Sequence, residues 1–216
     1  MAKTEKERKL TEKEAKRTER LAEIAEELRA KGLVREDKTV SLLAANLLAP
    51  LWALPFALIL IPCFFAVNDL HFDPAPGRYF LFLLLLLLAT VIHELIHGLT
   101  WGLFSPKGFS SIEFGFIAEM LTPYCYCGEP LKKGPYLAGS LMPFLLLGLL
   151  PSIAGVLSGS MLLLLLGLVM ILGAGGDLTV SAKLLFMKLE KGNVIMDHPT
   201  ECGFVLFRPE NAEGKA

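Results

Sequence analysis

His93, Glu94 and His97 place three reactive side chains within one turn of a predicted helix, in the run His93-Glu94-Leu95-Ile96-His97. Residues four apart on a helix lie about 40° apart around its axis, so both imidazoles can face one metal ion. Glu94 lies about 60° to 100° away, where it can reach a water molecule at the metal without binding the metal. This pattern indicates zinc-assisted hydrolysis with Glu94 as the general base. The alternative is a pair of core histidines without a metal.

Asp177 is a second polar residue inside a long apolar stretch. An aspartate in a membrane-spanning helix is costly and faces a partner or a wet cavity. Its neighbours on the same helix face include no cation, so the partner must come from another helix, and a metal held by His93 and His97 would supply one. The alternative is a protonated Asp177 hydrogen-bonded in a helix interface. The preceding run Gly173-Ala174-Gly175-Gly176 predicts close helix packing and a kink or break.

These residues lie within long apolar stretches of the chain. Apolar residues make up 53% of the chain although 20% of it is charged, because residues 1–40 hold 12 of the 21 Lys and Arg. Each stretch has at least about 20 residues, enough to cross a hydrocarbon core. We therefore predict an all-α polytopic membrane protein whose surroundings are a lipid bilayer. The four predicted spans are Ser41 to Val67, Tyr79 to Phe104, Tyr136 to Leu157, and Met161 to Met187.

The basic residues predict three regions and an orientation. The regions are a charged helical arm (1–40), a transmembrane domain (41–187) and a tail (188–216). The arm holds 12 Lys and Arg, the 105–135 loop three and the chain from Lys183 onward five, against one in the 68–78 connection. The positive-inside rule then places both termini and the 105–135 loop in the cytoplasm of a multi-pass cell-membrane protein. Along their spans, His93 and Asp177 reach similar depths, nearer the cytoplasmic face.

The arm is predicted to form a helix from Thr4 to Lys31 that ends at Gly32. Thr4-x-x-Glu7 and Thr11-x-x-Glu14 match the capping-box pattern. A narrow apolar stripe, which could pair in a coiled coil, rest on a membrane or do neither, consists of Leu21, Ile24 and Leu28. The 12 basic and 10 acidic residues of the arm give no case for a nucleic-acid partner.

The 105–135 loop is predicted to contain a short cytoplasmic β-hairpin between spans 2 and 3. Residues 112–120 and 124–127 alternate like strands, with Thr122-Pro123 as the turn. The hairpin would either offer its edge to an extended substrate or only close the cavity. Cys125 and Cys127 lack zinc-knuckle spacing, so neither is a predicted ligand. His71 and His198 are expected to be exposed, with metal binding as the alternative if either segment folds back.

The sequence HELIHG at 93–98, followed by Asp177 on a later span, resembles the site-2 protease superfamily of intramembrane zinc metalloproteases. It is most similar to the zincin peptidase family of small multipass membrane proteins, over about residues 80–190. The resemblance implies Zn²⁺ held by His93, His97 and Asp177, with Glu94 as the catalytic base. It implies a membrane-embedded protein or peptide as the substrate. Leu178 after Asp177 departs from the Gly common in site-2 proteases, and no PDZ-like domain is present.

The competing class is a non-catalytic zinc-binding membrane scaffold, regulator or transporter component. Glu94 argues against it, because a structural site needs no general base beside its ligands. A structural site also tends to be closed by four protein ligands, so a fourth ligand such as His198 would favour this class. The sequence specifies neither an oligomeric state nor a particular substrate.

Overall fold

Seven α-helices and five strands form the part of the chain that the structure describes. The computed structural model covers residues 11–69, 76–117 and 122–210 in this sense. A π-helical stretch, Phe144–Leu149, joins α4 and α5 into one continuous helix. The helices are α1 (Glu12–Ala30), α2 (Leu42–Val67), α3 (Pro76–Phe104), α4 (Lys133–Pro143), α5 (Leu150–Ser158), α6 (Met161–Gly173) and α7 (Gly175–Phe186).

Three of these helices are long and apolar enough to cross a membrane. They are α2, α3 and the continuous helix α4–α5, and the bent pair α6–α7 makes a fourth if it forms one span. Large apolar side chains are exposed on their outer faces, for example Leu58 on α2 and Leu83 on α3. This arrangement is compatible with the predicted multi-pass protein, since in water such a surface would be costly to expose.

The predicted break before Asp177 is confirmed as a 54° bend between α6 and α7. Gly175 lies so close to α2 that a Cβ built on it would be 2.5 Å from the Cα of Ala49. The Trp52 indole N–H also donates to the Thr179 hydroxyl at 2.9 Å, which holds α2 against α7. Because Asp177 lies in the first turn of α7, these contacts fix its position.

A three-stranded antiparallel sheet joins the two ends of the described chain. Its strands are β1 (Leu33–Thr39), β4 (Val194–Asp197) and β5 (Gly203–Pro209), in the order β1-β5-β4. The predicted all-α class is therefore wrong in this respect: the protein is mostly helical with small antiparallel sheets. Four of the seven β1 residues are charged, a composition depleted in strands, so local sequence did not indicate this strand. The strand-like tail segment, in contrast, does form β5.

We call α1 together with β1, β4 and β5 the cap. The predicted apolar stripe of α1 packs inside the cap, where Leu21 and Ile24 contact a core that contains Phe207. The stripe thus forms neither a coiled coil nor a membrane contact. The Thr11–Glu14 capping box is confirmed by reciprocal bonds between the two residues. The second predicted capping box, at residues 4–7, lies outside the described residues.

The predicted hairpin between the second and third spans is confirmed. Its strands are β2 (Ile112–Ile117) and β3 (Thr122–Cys127). The predicted turn at Thr122-Pro123 is wrong, because both residues belong to β3 and pair with β2. Strand pairing therefore includes the two residues that gave the local turn signal.

The cap is docked on the hairpin through one buried cation. Arg17 of α1 donates to the Glu113 carboxylate at 2.9 Å and to the Tyr124 hydroxyl at 3.1 Å. Its guanidinium also lies 4.4 Å from the ring centroid of Tyr126. Together with the β1–β5 pairing, this contact brings the arm, the tail and the hairpin to one end of the helices, the grouping that the positive-inside rule predicts.

Candidate metal centre

Three predicted ligands meet between α3 and the start of α7. The Nε2 atoms of His93 and His97 lie 3.1 Å and 3.4 Å from one oxygen, Oδ2, of Asp177. One donor atom from each residue can be chosen so that all three lie within 4.8 Å of one another. Both histidines are buried and Asp177 is half-buried. Asp177 is 84 residues after His93 and 80 after His97 in the sequence, so this meeting is a property of the fold.

The two distances from the imidazoles to the carboxylate fit a zinc site. Zinc ligands about 2.0 to 2.1 Å from the ion in a tetrahedral array lie roughly 3.3 to 3.4 Å from each other. The two observed imidazole-to-carboxylate distances, 3.1 Å and 3.4 Å, bracket that value. Two imidazoles and one carboxylate are also a donor set used by catalytic zinc sites, in which a fourth position stays open.

Backbone geometry sets the orientation of His97. Its Nδ1 lies 2.8 Å from the carbonyl oxygen of Gly139 on α4. A carbonyl can only accept a hydrogen bond, so Nδ1 carries the hydrogen, and in the neutral ring Nε2, which faces Asp177, is the nitrogen whose lone pair can bind a metal. This is the usual way in which a second hydrogen bond fixes the tautomer of a metal-binding histidine.

Glu94 lies beside the three donors without joining them. It is half-buried and lines the same cavity of about 380 Å³ as His93, His97 and Asp177. The backbone N–H of Cys125, on β3, lies against its carboxylate. A carboxylate in this place can accept a proton from a water molecule held at the metal position.

The cap supplies part of the cavity wall. Residues of α1 and the whole β4–β5 connection, 198–203, line the cavity together with the metal-site helices. The tail therefore folds back over the site, which is the condition under which His198 could have bound the metal. His198 nevertheless lies outside the three-residue cluster found among the described residues, and its Nδ1 accepts from the backbone N–H of Glu201 at 3.1 Å. His71 lies outside the described residues.

The cysteines near the site lie outside the cluster of possible metal ligands that the described residues form. All four cysteines are free thiols. Burial raises the pKa of the Cys125 and Cys127 thiols above its ordinary value, which keeps both protonated at neutral pH. A thiolate is the form that binds zinc, so these thiols are poor ligands, in agreement with their spacing in the sequence.

Two aromatic residues behind His97 were not predicted from the sequence. The Trp101 ring stacks on His97, with ring centroids 5.1 Å apart, and then on Tyr136 at 5.6 Å. The Trp101 indole N–H donates to the Tyr136 carbonyl oxygen at 3.0 Å. A Cβ on Gly139 would lie 2.0 Å from the Trp101 Nε1, so this close stack requires glycine there. Trp101 follows His97 by one helical turn, which is the one signal that could have found it.

The site lies between apolar helices and brings together a donor set that catalytic zinc sites use. Residues 86–190 match the family described as "Putative zincin peptidase". This match confirms the resemblance to that family, supports a metallopeptidase and implies a zinc cofactor. All four predicted site residues lie in the matched segment, whereas the residues of the cap lie outside it. No curated protein matches the chain, and no solved structure matches it.

Proposed function

We propose that this protein is a zinc-dependent intramembrane endopeptidase. The observation that carries the proposal is the convergence of His93, His97 and Asp177, whose two imidazole-to-carboxylate distances are near tetrahedral ligand spacing, with Glu94 in the same cavity. The family match to a metallopeptidase supports the reaction class. The position of the site between apolar helices supports a substrate that is itself embedded in a membrane.

In the proposed reaction, His93, His97 and Asp177 would hold the ion. Zinc bound there would make water acidic near neutral pH and would polarise a peptide carbonyl. Glu94 accepts a proton from the attacking water and then passes it to the nitrogen of the leaving amine. The water oxygen bonds to the carbonyl carbon and the C–N bond breaks, so one water is consumed for each bond cleaved. Gly139 keeps the His97 lone pair aimed at the metal position throughout.

The proposed setting is a cell membrane crossed four times, with both termini in the cytoplasm. The three long helices and the bent pair support the number of spans. Pairing of β1 with β5 supports a common side for arm and tail, because the two strands are hydrogen-bonded over seven residue pairs. The distribution of Lys and Arg then favours the cytoplasmic side. The substrate would be a peptide bond in or near a membrane span of another protein.

The hairpin is proposed to close the cavity. Alternate N–H groups of β3 point away from β2, and those of Cys125 and Cys127 face Glu94 and Asp197. Pro123, the next residue on that edge, has no N–H. The outward donors of β3 therefore already have partners, which favours a wall over an edge that pairs with substrate.

The second candidate is a non-catalytic zinc-binding membrane protein. It would be favoured by a fourth protein ligand, yet the cluster in the described residues has three members. It also leaves unexplained why the Glu94 carboxylate is held in the metal cavity.

The experiment compares membranes that contain the wild-type protein with matched membranes that contain Glu94→Gln. New N-termini are identified by mass spectrometry. We expect cleavages in or near membrane spans that appear with the wild type, disappear with a zinc chelator, and fall about 10²-fold to 10⁴-fold with Glu94→Gln. Identical N-termini in both membranes, with zinc bound in both proteins, would contradict the peptidase and favour the second candidate.

A further inference from the structure

We propose that Asp197, in the tail, is a positioning residue for the metal centre. Its carboxylate is buried, 8% exposed, and it bridges the two elements that make backbone contacts to the site. One element is α4, whose Gly139 holds His97, and the other is β3, whose Cys125 N–H lies against Glu94. The inference rests on the zinc site of the proposed function and adds a residue outside the family-matched segment 86–190.

The contact with α4 runs through Tyr136. The Tyr136 hydroxyl donates to Asp197 Oδ1 at 2.7 Å. Tyr136 lies three residues before Gly139, one helical turn away, and its ring stacks on Trp101, which in turn stacks on His97. Asp197 therefore restrains the turn of α4 that presents the Gly139 carbonyl to His97.

The contact with β3 runs through the backbone. The Cys127 N–H donates to Asp197 Oδ2 at 2.8 Å. Since N–H groups two residues apart on a strand point the same way, the neighbouring outward N–H is that of Cys125, which faces Glu94. Asp197 thus fixes the edge of β3 at the register that brings Cys125 to Glu94.

A buried carboxylate is an expensive way to join two elements, which argues for a specific role. Burial raises the pKa of the Asp197 carboxyl to about 6, and its two hydrogen bonds oppose that shift. An amide at this position could accept from the Cys127 N–H with its oxygen and donate to the Tyr136 hydroxyl with its nitrogen, but neither hydrogen bond would then involve a charged group. The carboxylate makes both hydrogen bonds charge-assisted, so it holds both elements more strongly than an amide would.

The test measures zinc affinity and hydrogen exchange for the full-length protein in detergent. For Asp197→Asn we expect zinc to bind about tenfold more weakly, the low end of the effect of outer-shell partners. We also expect faster exchange in β3 and in the first turns of α4. Tyr136→Phe should weaken zinc binding and speed exchange in α4 while exchange in β3 stays unchanged. Glu190→Gln, an exposed carboxylate in the same tail, is the matched control and should match the wild type.

Four outcomes would overturn the inference or its stated route. The first is unchanged zinc affinity in Asp197→Asn although the wild type binds zinc, which leaves the proposed function intact. The second is equal weakening of zinc binding by Glu190→Gln, which would make the effect one of tail charge. The third is a wild type that binds no zinc, which would overturn the proposed function as well. Weaker zinc binding with unchanged exchange in both β3 and α4 would also contradict the stated route.

Discussion

The cap and the apolar helices place their apolar and charged side chains in opposite ways. The helices expose large apolar side chains outward and bring His93, His97 and Asp177 together at one site between α3 and α7. The cap does the reverse: Phe204 and Phe207 are fully buried, while ion pairs such as Arg35–Asp37 lie on its surface. The cap therefore has an apolar core and a polar surface, whereas the surface of the helices is compatible with a hydrocarbon environment.

The difference shows where the polar chemistry of the site comes from. The helices alone provide the metal donors, Glu94 and the Gly139 carbonyl. The cap covers the cavity and adds the buried carboxylate of Asp197 together with the 198–203 connection. A site in apolar helices therefore obtains a polar wall from segments that are remote in sequence.

The largest expected effect comes from breaking the core of the cap. Phe207→Ala should lower the free energy of unfolding of the cap by about 3 to 5 kcal/mol, because it leaves a large cavity in a packed core. Hydrogen exchange in β5 should rise, while the helical circular-dichroism signal of the spans stays near that of the wild type. Phe186→Ala, at the end of α7 where the ring is 89% exposed, is the control and should change little. Loss of the cap and the spans in one transition would show that they are a single cooperative unit.

The free energy of unfolding should depend on pH through Asp197, the buried carboxyl of the cap. Burial raises the pKa of this carboxyl from 3.8 to about 6, so between these values the folded protein holds a proton that the unfolded chain has released. The contribution of Asp197 to the free energy of unfolding is therefore fully present below about pH 4 and is lost as the pH rises through 6, by about 3 kcal/mol. Denaturant unfolding from pH 4 to 8 measures this contribution. The free energy of unfolding of the wild type should fall more steeply with pH than that of Asp197→Asn. Parallel curves for the two proteins would contradict the raised pKa.

A smaller effect is expected from crowding the aromatic stack behind His97. Gly139→Ala should cost about 1 to 3 kcal/mol, because a Cβ would meet the Trp101 indole at 2.0 Å and the ring must move. Thermal unfolding measures the loss of stability, and zinc titration measures any accompanying loss of zinc affinity. Gly134→Ala, in the same helix with nothing within 4 Å of its added Cβ, is the matched control and should be neutral or slightly stabilising. Equal effects of the two substitutions would mean that the stack does not support the site.

Local patterns in the sequence predicted the parts of the site that depend on helical spacing. The pair His93 and His97, the bend before Asp177 and the β2–β3 hairpin each follow from residues close together in the chain. The sheet of the cap could not be predicted in this way, because β1 pairs with β5 across about 165 residues and is itself highly charged. Asp197 gave no signal for the same reason: its partners, Tyr136 and the Cys127 backbone, are set by tertiary packing.

The most direct test of the central claim is the zinc content of the detergent-purified protein. Wild type is compared with Glu94→Gln, His97→Ala and Asp177→Ala by elemental analysis. The three-ligand account predicts about one zinc per chain in wild type and Glu94→Gln, and little in the other two. Zinc retained at full content in Asp177→Ala would remove Asp177 from the ligand set. A wild type without zinc, even after zinc is supplied, would contradict the hydrolase itself.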